Sequence, residues 1–277
     1  MTVTPPTGRT AAETVGPSVR RPPIRQRRRV NVRGAVFVVA MVLVLEVVTT
    51  ALGSRFLPPP SRIAGALAGQ LVGGALPAAL LSTIGSVAAG LAIASVVGVL
   101  LGLLLGSSDR LYATFRWVIE FLRPLPAVSL VPFAILLLGI GPTTTIAAAA
   151  YAALWPVVFN TYYGVRDCNP VSIDSARTFG LTRPEVLRRV VLPHALPGVL
   201  TGIRVASAIS LILVITVELL TSAGGVGYFI SFMQGAIRVP EMYAGVLVVG
   251  VLGYLISLGV EALERRLLFW NRSGEDH

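Results

Sequence analysis

Lysine is absent from this sequence of 277 residues, in which all 23 basic residues are arginine. A phosphate-binding loop with its lysine, a lysine Schiff base and a Ser-x-x-Lys nucleophile are therefore excluded. The sequence contains one cysteine, Cys168, and two histidines, His194 and His277. This set predicts no intrachain disulfide, no metal site and no cofactor bound by this chain.

Charge is also scarce, since only 13% of the residues are charged, 54% are hydrophobic and the mean hydropathy is +0.78. Soluble domains carry about 25% charged residues, so the composition disfavours both a soluble enzyme and a disordered chain. No Ser/His/Asp set, His-Glu-x-x-His motif or carboxylate pair lies within the apolar runs, which disfavours an intramembrane enzyme. The composition instead favours a polytopic transport protein that is not an enzyme.

Apolar runs long enough to cross a bilayer as helices occur six times, and crossing takes about 20 residues. The sequence therefore predicts an all-α membrane protein with six transmembrane helices. A transmembrane domain over 34–277 would follow a disordered, arginine-rich tail over 1–33. A short helix is expected over 61–72. The predicted spans are 34–52, 76–106, 117–139, 143–163, 202–220 and 242–260.

The arginines are distributed unevenly over the loops between these runs. With the N-terminus inside, 20 arginines lie on the inner side and Arg55, Arg62 and Arg238 on the outer side. An excess of arginine in short loops marks the cytoplasm, so both termini are predicted to be cytoplasmic. The expected partner of the tail is the anionic lipid bilayer and no nucleic acid, because its arginines adjoin apolar segments.

Small residues recur at four-residue steps in the second apolar run. They are Ser86, Gly90, Ala94, Gly98, Gly102 and Gly106. Because small side chains allow a second helix to approach closely, this stripe favours helix packing over a pore lining.

The longest polar segment between spans, 168–198, contains the start and stop signals of two short helices joined by a turn. Ser172 is predicted to cap the first helix, and Gly180 to end it with a positive φ. Thr182 and Glu185 have the spacing of a capping box for the second helix, which Pro193 and Pro197 are expected to end. Such a rigid element would suit the transmission of a push from another protein.

The same segment resembles the Glu-Ala-Ala-x3-Gly-x9-Ile-x-Leu-Pro signature of permeases of importer-type ABC transporters. The spacing is kept throughout, and the replacements are Asp for Glu, Ser for Ala and Val for Ile. The matching residues are Asp174, Ser175, Ala176, Gly180, Val190, Leu192 and Pro193. The resemblance implies the type I importer permease fold and a coupling helix that docks on an ATP-hydrolysing subunit.

Further motifs between Phe56 and Trp270 are similar to the nitrate, sulfonate and taurine subfamily. They include Arg123-Pro124-Leu125-Pro126, Gly139-Ile140-Gly141 and Val217-Glu218-Leu219-Leu220. The resemblance implies a bacterial inner or plasma membrane permease for a small anion such as a sulfonate, nitrate or taurine. A thiamine-precursor pyrimidine or another small molecule is the alternative substrate.

The implied partners are separate ABC ATPase subunits, which use ATP and Mg, an extracytoplasmic solute-binding protein and a second permease copy in a homodimer. An ion-coupled secondary transporter is a competing class, but it tends to have two inverted repeats. We see no matching pair of halves here.

Ionisable residues inside the spans are candidates for the pathway or an interface between copies. For Glu218, a function in the pathway or between copies and a position at the membrane–water interface without such a function fit the sequence equally well. Glu120 and Arg123 are three residues apart, and a pair on one helix face is favoured for them over a function in the pathway.

Overall fold

The computed structural model describes residues 32–222 and 224–268. Nearly all of the tail predicted over 1–33 lies outside the described residues, so its disorder stays a prediction. The chain divides into two compact units between Val44 and Leu45, and helix α1, Val32–Leu52, contains this boundary. All described helices after α1 belong to the second unit.

Every element of regular structure in the described ranges is helical, which confirms the predicted all-α class. The first group of helices is α2 (Pro60–Gly73), α3 (Leu76–Ser107), α4 (Asp109–Leu122), a 3-10 turn (Ala127–Leu130), α5 (Val131–Leu138) and α6 (Pro142–Arg166). The second group is α7 (Pro170–Thr178), α8 (Arg183–Val186), a π-helical turn (Leu187–Val191), α9 (Leu192–Leu220), α10 (Gly225–Gly235) and α11 (Val239–Leu267).

Four described helices are long and apolar enough to cross a membrane: α3, α6, α11 and the continuous stretch from Arg183 to Leu220. The third predicted span, 117–139, is not one helix, because α4 and the pair formed by the 3-10 turn and α5 meet at 82°. Pro124 and Pro126 explain the break, since proline removes a backbone donor and clashes with the preceding turn. Counting this bent pair as one span gives five, and the apolar part of α1 is shorter. The total of six stays a prediction.

The prediction that Pro193 and Pro197 end the second short helix is wrong, because the helix continues through both into α9. Pro197 lies inside α9, where it removes one backbone hydrogen bond without ending the helix. At Pro193 the physical reason is the π-helical turn, in which the Leu192 N–H donates to the Leu187 carbonyl. Proline in a regular helix clashes with the carbonyl four residues earlier, and a wider turn just before Pro193 gives that carbonyl room.

The stripe of small residues on α3 packs against α6, which confirms its packing function. A Cβ added at Gly98 would lie 2.8 Å from the Val157 Cβ, and one added at Gly102 would lie 2.5 Å from the Thr161 Cβ. Both partners lie 59 positions further along the chain, so α3 and α6 run parallel and keep one register. Contact this close requires glycine, and it packs the two helices tightly against each other.

Candidate functional site

The start of α7 is capped by a different residue from the one predicted. The Asn169 side chain accepts a hydrogen bond of 2.9 Å from the Val171 N–H, and Pro170 occupies the first helical position. Ser172 is therefore inside the helix. Asparagine is a strong N-cap residue and proline suits the first position, so the Asn-Pro pair was the pattern that identifies this helix start.

The end of α7 is formed as predicted. Gly180 has φ +84°, and the Leu181 N–H donates to the Ala176 carbonyl at 3.2 Å. This six-to-one hydrogen bond closes the helix end, and glycine adopts the required left-handed backbone without strain. The turn between α7 and the next helix therefore depends on Gly180.

The predicted capping interaction of α8 is present. Glu185 Oε2 accepts hydrogen bonds from the Thr182 N–H at 2.9 Å and from the Thr182 hydroxyl at 2.8 Å. These two donors, the backbone N–H first, hold the pKa of Glu185 below its ordinary value. Gly180 thus lies between two helix ends that are both held by hydrogen bonds. We call residues 170–191, from α7 through the π-helical turn, the elbow.

One side of the elbow is apolar and packs on the ends of α3 and α6. The elbow contributes Ile173, Ala176, Leu181, Val186, Val190 and Val191 to this cluster, and the neighbouring elements contribute Leu103, Val165, Cys168 and Ala195. Of the other residues in the Glu-Ala-Ala-like motif, Leu192 is half-buried and Pro193 is exposed. This packing fixes the elbow to the body of the unit.

The other side of the elbow is exposed. Asp174 and Ser175 face outward, with Arg177 placing a guanidinium nitrogen 3.5 Å from an Asp174 carboxylate oxygen. Phe179, at the tip beside Gly180, is 85% exposed. A large aromatic side chain next to an exposed ion pair on a rigid projection is suited to contact with another protein.

The elbow continues without interruption into the longest helical stretch of the described chain. Arg183–Leu220 contains 38 residues, which at 1.5 Å per residue extends for about 57 Å. The elbow and the far end of α9 therefore belong to one continuous helical stretch.

Glu218, near the far end of α9, is only 2% exposed and lies inside the unit. Its carboxylate oxygens accept hydrogen bonds from the Thr83 hydroxyl at 3.0 and 2.9 Å and from the Gly227 N–H at 3.0 Å. Thr83 in turn accepts from the Val226 N–H at 2.9 Å. Since Val226 and Gly227 belong to the first turn of α10, the carboxylate satisfies donors that a helix N-terminus leaves unpaired.

We call Glu218, Thr83, Val226 and Gly227 the Glu218 junction. It joins α9, α3 and α10 at the end of α9 opposite the elbow. In this conformation the carboxylate faces no open surface, and its use in a pathway stays a prediction. Sequence reasoning missed Thr83, which is 135 positions away from Glu218 and has no local pattern to mark it.

Glu120 and Arg123 do not pair with each other, so that prediction is wrong. Glu120 accepts from Arg116 at 2.7 Å, one helical turn earlier on the exposed face of α4. Arg123 stands at the end of α4, where its guanidinium lies 4.3 Å from the centre of the Phe159 ring. The four-residue spacing of Arg116 and Glu120 suits an ion pair on a helix, whereas the break after α4 turns Arg123 toward α6.

An all-helical unit with several apolar helices of membrane length defines a polytopic membrane protein. Residues 94–269 match the family described as binding-protein-dependent transport system inner membrane component. The match covers more than half of the chain, and the chain belongs to this family.

Curated relatives include the taurine transport system permease protein TauC of Escherichia coli, 32% identical over 154 residues, which are 56% of each chain. The putative aliphatic sulfonates transport permease protein SsuC of Bacillus subtilis is 32% identical over 157 residues, or 57% of each. The bicarbonate transport system permease protein CmpB of Synechococcus elongatus is 30% identical over 164 residues, or 59% of each. The similarity therefore spans little more than half the length of these relatives.

Solved structures show the same fold. A chain of the MetNI methionine ABC transporter, in an inward-facing conformation, superposes with a TM-score of 0.61 at 22% identity, covering 70% of this chain and 96% of that one. A chain of an amino acid ABC transporter superposes with a TM-score of 0.57 at 18% identity, covering 68% and 92%. The all-α membrane fold is thus the fold of ABC transporter chains.

Proposed function

We propose that this protein is the membrane-spanning permease subunit of an ATP-driven importer that takes a small anion from a solute-binding protein. The observation that carries the proposal is the elbow, which exposes Phe179 and the Asp174–Arg177 pair while continuing rigidly into α9. Membership of the family supports the same function. ATP hydrolysis belongs to a separate ATPase chain, and this subunit is not itself an enzyme.

In this proposal the elbow is the surface that docks on the ATPase. Movement of the docked ATPase displaces α7. The helix ends on both sides of Gly180 are held by hydrogen bonds, so the turn between them keeps its geometry and transmits the displacement. The π-helical turn passes the motion to α9. At the far end, α9 carries the Glu218 junction and with it α10. One continuous helix then links ATP hydrolysis to the opposite face of the membrane.

The proposed substrate class is a small oxyanion. Relatives at about 30% identity are permeases for taurine, aliphatic sulfonates and bicarbonate. All three compounds carry an anionic group built from oxygen atoms. A second copy of the chain is proposed to complete the pathway as a homodimer.

Reconstitution tests this function directly. The tagged protein, purified from its own membrane, is expected to recover an ATPase chain. Proteoliposomes containing that complex and a binding protein are expected to accumulate at least one of taurine, butanesulfonate and bicarbonate when ATP and Mg are supplied. A matched sample with Gly180→Val in the elbow controls for leakage. Accumulation without ATP, or with no binding protein, would contradict an ABC importer.

The proposed orientation has both termini and the elbow in the cytoplasm. Cys168 is a poor reporter of sidedness, because it is 5% exposed and burial raises the pKa of its thiol. In a Cys168→Ser background, we expect Gln234→Cys on α10 to react with a membrane-impermeant thiol reagent in intact cells. Thr178→Cys on α7 should react only after permeabilisation. The reverse pattern would invert the topology.

A further inference from the structure

The break between α4 and α5 lies beside the middle part of α6. The Tyr151 hydroxyl donates to the Leu122 carbonyl at 2.7 Å, at the last residue of α4. Since α6 runs from Pro142 to Arg166, Tyr151 is about 14 Å from one end and about 22 Å from the other. The chain therefore loses its helical hydrogen bonding well inside the depth of a membrane.

This break is exposed on the surface of the unit. Arg123, Pro124 and Pro126 are exposed, and so is Ser129 in the following 3-10 turn. Non-helical backbone at membrane depth is tolerated only where it is buried in protein or lines a water-filled cavity. The surface around the break therefore faces water or a second protein surface, and not lipid.

Arg123 places a full positive charge on this surface. Its guanidinium lies over the Phe159 ring, and Phe159 is about 10 Å from the Arg166 end of α6. Among the ion pairs of the described residues none involves Arg123, and the nearby Glu120 is bonded to Arg116. A ring face attracts a guanidinium and fixes its position but leaves its charge unneutralised.

A second N–H donor lies on the same face of α6. Tyr151, Trp155 and Phe159 are four residues apart, so they share one side of the helix. The Trp155 Nε1–H is buried and has no hydrogen-bond partner in the part of the chain that the structure describes. Buried donors without an acceptor are rare because each costs about 1–3 kcal/mol. The Trp155 N–H is enclosed by the protein, so the exposed Arg123 is the donor that this face presents to a solute.

We propose that Arg123, held over Phe159 beside the break, contacts the anion as it crosses the membrane. The ligand class is a small oxyanion, because a planar guanidinium pairs two N–H groups with two oxygens of a carboxylate or sulfonate. This inference rests on the proposed function and adds to it the residue that selects the charge of the solute.

The experiment replaces the charge and then restores it chemically. In the Cys168→Ser background, Arg123→Cys is compared with Arg116→Cys, an exposed position on the same helix. Both are reconstituted with the ATPase and binding protein at matched abundance, and the probes are taurine, butanesulfonate and bicarbonate. We expect Arg123→Cys to lower uptake at least tenfold. A cationic methanethiosulfonate reagent should then recover uptake at least threefold, and an anionic one should not, whereas Arg116→Cys should respond to neither.

The outcomes separate this inference from the function on which it rests. If the unsubstituted protein accumulates none of the probes, the proposed substrate class fails and the inference fails with it. If that protein transports a probe and Arg123→Cys does so equally well, only the inference is overturned. Failure of both reagents to modify the thiol, measured by mass, would place Arg123 in a dry contact between copies and also overturn it.

A second pair of variants covers the case in which Arg123→Cys does not insert. Arg123→Lys keeps the charge and is expected to retain at least one third of the uptake. Arg123→Gln keeps hydrogen-bond donors without charge and is expected to lose at least tenfold. Equal uptake by these two variants would show that the charge of Arg123 is not used.

Discussion

The elbow and the Glu218 junction lie at opposite ends of one helical stretch, and they are stabilised by opposite means. The outer side of the elbow is exposed, and its turn depends on local hydrogen bonds, such as those from Thr182 to Glu185. The Glu218 junction is buried and depends on groups far apart in the chain, such as Thr83 and Glu218. An exposed hydrogen bond competes with water, whereas a buried polar group without its partners is costly.

Because the two regions are stabilised differently, we expect substitutions in them to have different consequences. Loss of a contact at the Glu218 junction should lower the stability of the folded protein, because buried polar groups are left unpaired. Loss of a contact in the elbow should leave the protein folded and should affect its coupling to the ATPase. Variants at the two ends test that division, from the largest expected effect to the smallest.

Glu218→Ala is expected to lower the free energy of unfolding by about 2–4 kcal/mol, since it leaves the Thr83 hydroxyl and the Gly227 N–H of α10 unpaired in a buried site. Thermal unfolding of the detergent-purified protein measures the change. Glu120→Ala is the matched control, because its exposed ion pair with Arg116 should contribute little. Equal midpoints for the two variants would refute the structural importance of the Glu218 junction.

Gly102→Ala is expected to destabilise the packing of α3 on α6 by about 1–3 kcal/mol, because its new Cβ would lie 2.5 Å from the Thr161 Cβ and 2.7 Å from the Val158 carbonyl oxygen. Both the elbow and the Glu218 junction depend on the packing of α3 on α6. The reason is that α3 carries Thr83 of the junction and Leu103, which packs against the elbow cluster. Gly85→Ala, on the same helix with nothing within 4 Å of its new Cβ, is the control. It should be neutral or slightly stabilising, because alanine favours the helix more than glycine does, and a loss equal to that of Gly102→Ala would mean that close contact with α6 is not the cause.

The elbow was largely predictable from the sequence and the Glu218 junction was not, for a physical reason. Gly180, Thr182 and Glu185 act on backbone groups within a few residues, so their spacing is sufficient evidence. Thr83 meets Glu218 only after α3 and α9 have packed, and no local pattern records that. The failures at Ser172, Pro193 and Pro197 were local too, because the Asn-Pro helix start was overlooked and a π-helical turn was not considered.

Gly180→Val is expected to reduce binding-protein-stimulated ATPase activity and uptake together, with insertion into the membrane unchanged. A β-branched residue at φ +84° costs about 1–2 kcal/mol, which the turn would relieve by changing its geometry. Gly180→Asn is the control, because asparagine adopts a left-handed backbone more readily. Stimulation and uptake at the level of the unsubstituted protein in both variants would mean that this turn does not transmit the motion.

The smallest expected effect is a pH dependence confined to the elbow. The Thr182 N–H and hydroxyl lower the pKa of Glu185 from its ordinary value of 4.5, because they bond to the ionised carboxylate. A group whose pKa is lower in the folded state contributes stability that is fully present above its ordinary pKa and is lost as the pH falls through the lowered value. The start of α8 should therefore keep its protection between pH 5 and pH 8 and lose part of it in more acidic solution.

Amide hydrogen exchange of Thr182, compared with Glu185→Gln at each pH so that the intrinsic exchange rate cancels, measures this loss. Glutamine also accepts from the N-cap N–H in a capping box and does not titrate, so the ratio of the two protections should change only below about pH 5. The exchange of amides around Glu218 should show no difference between the two proteins, because that junction has no contact with Glu185. A change there would mean that the two ends of α9 are coupled even in the resting protein, and that the motion proposed for transport already occurs without the ATPase.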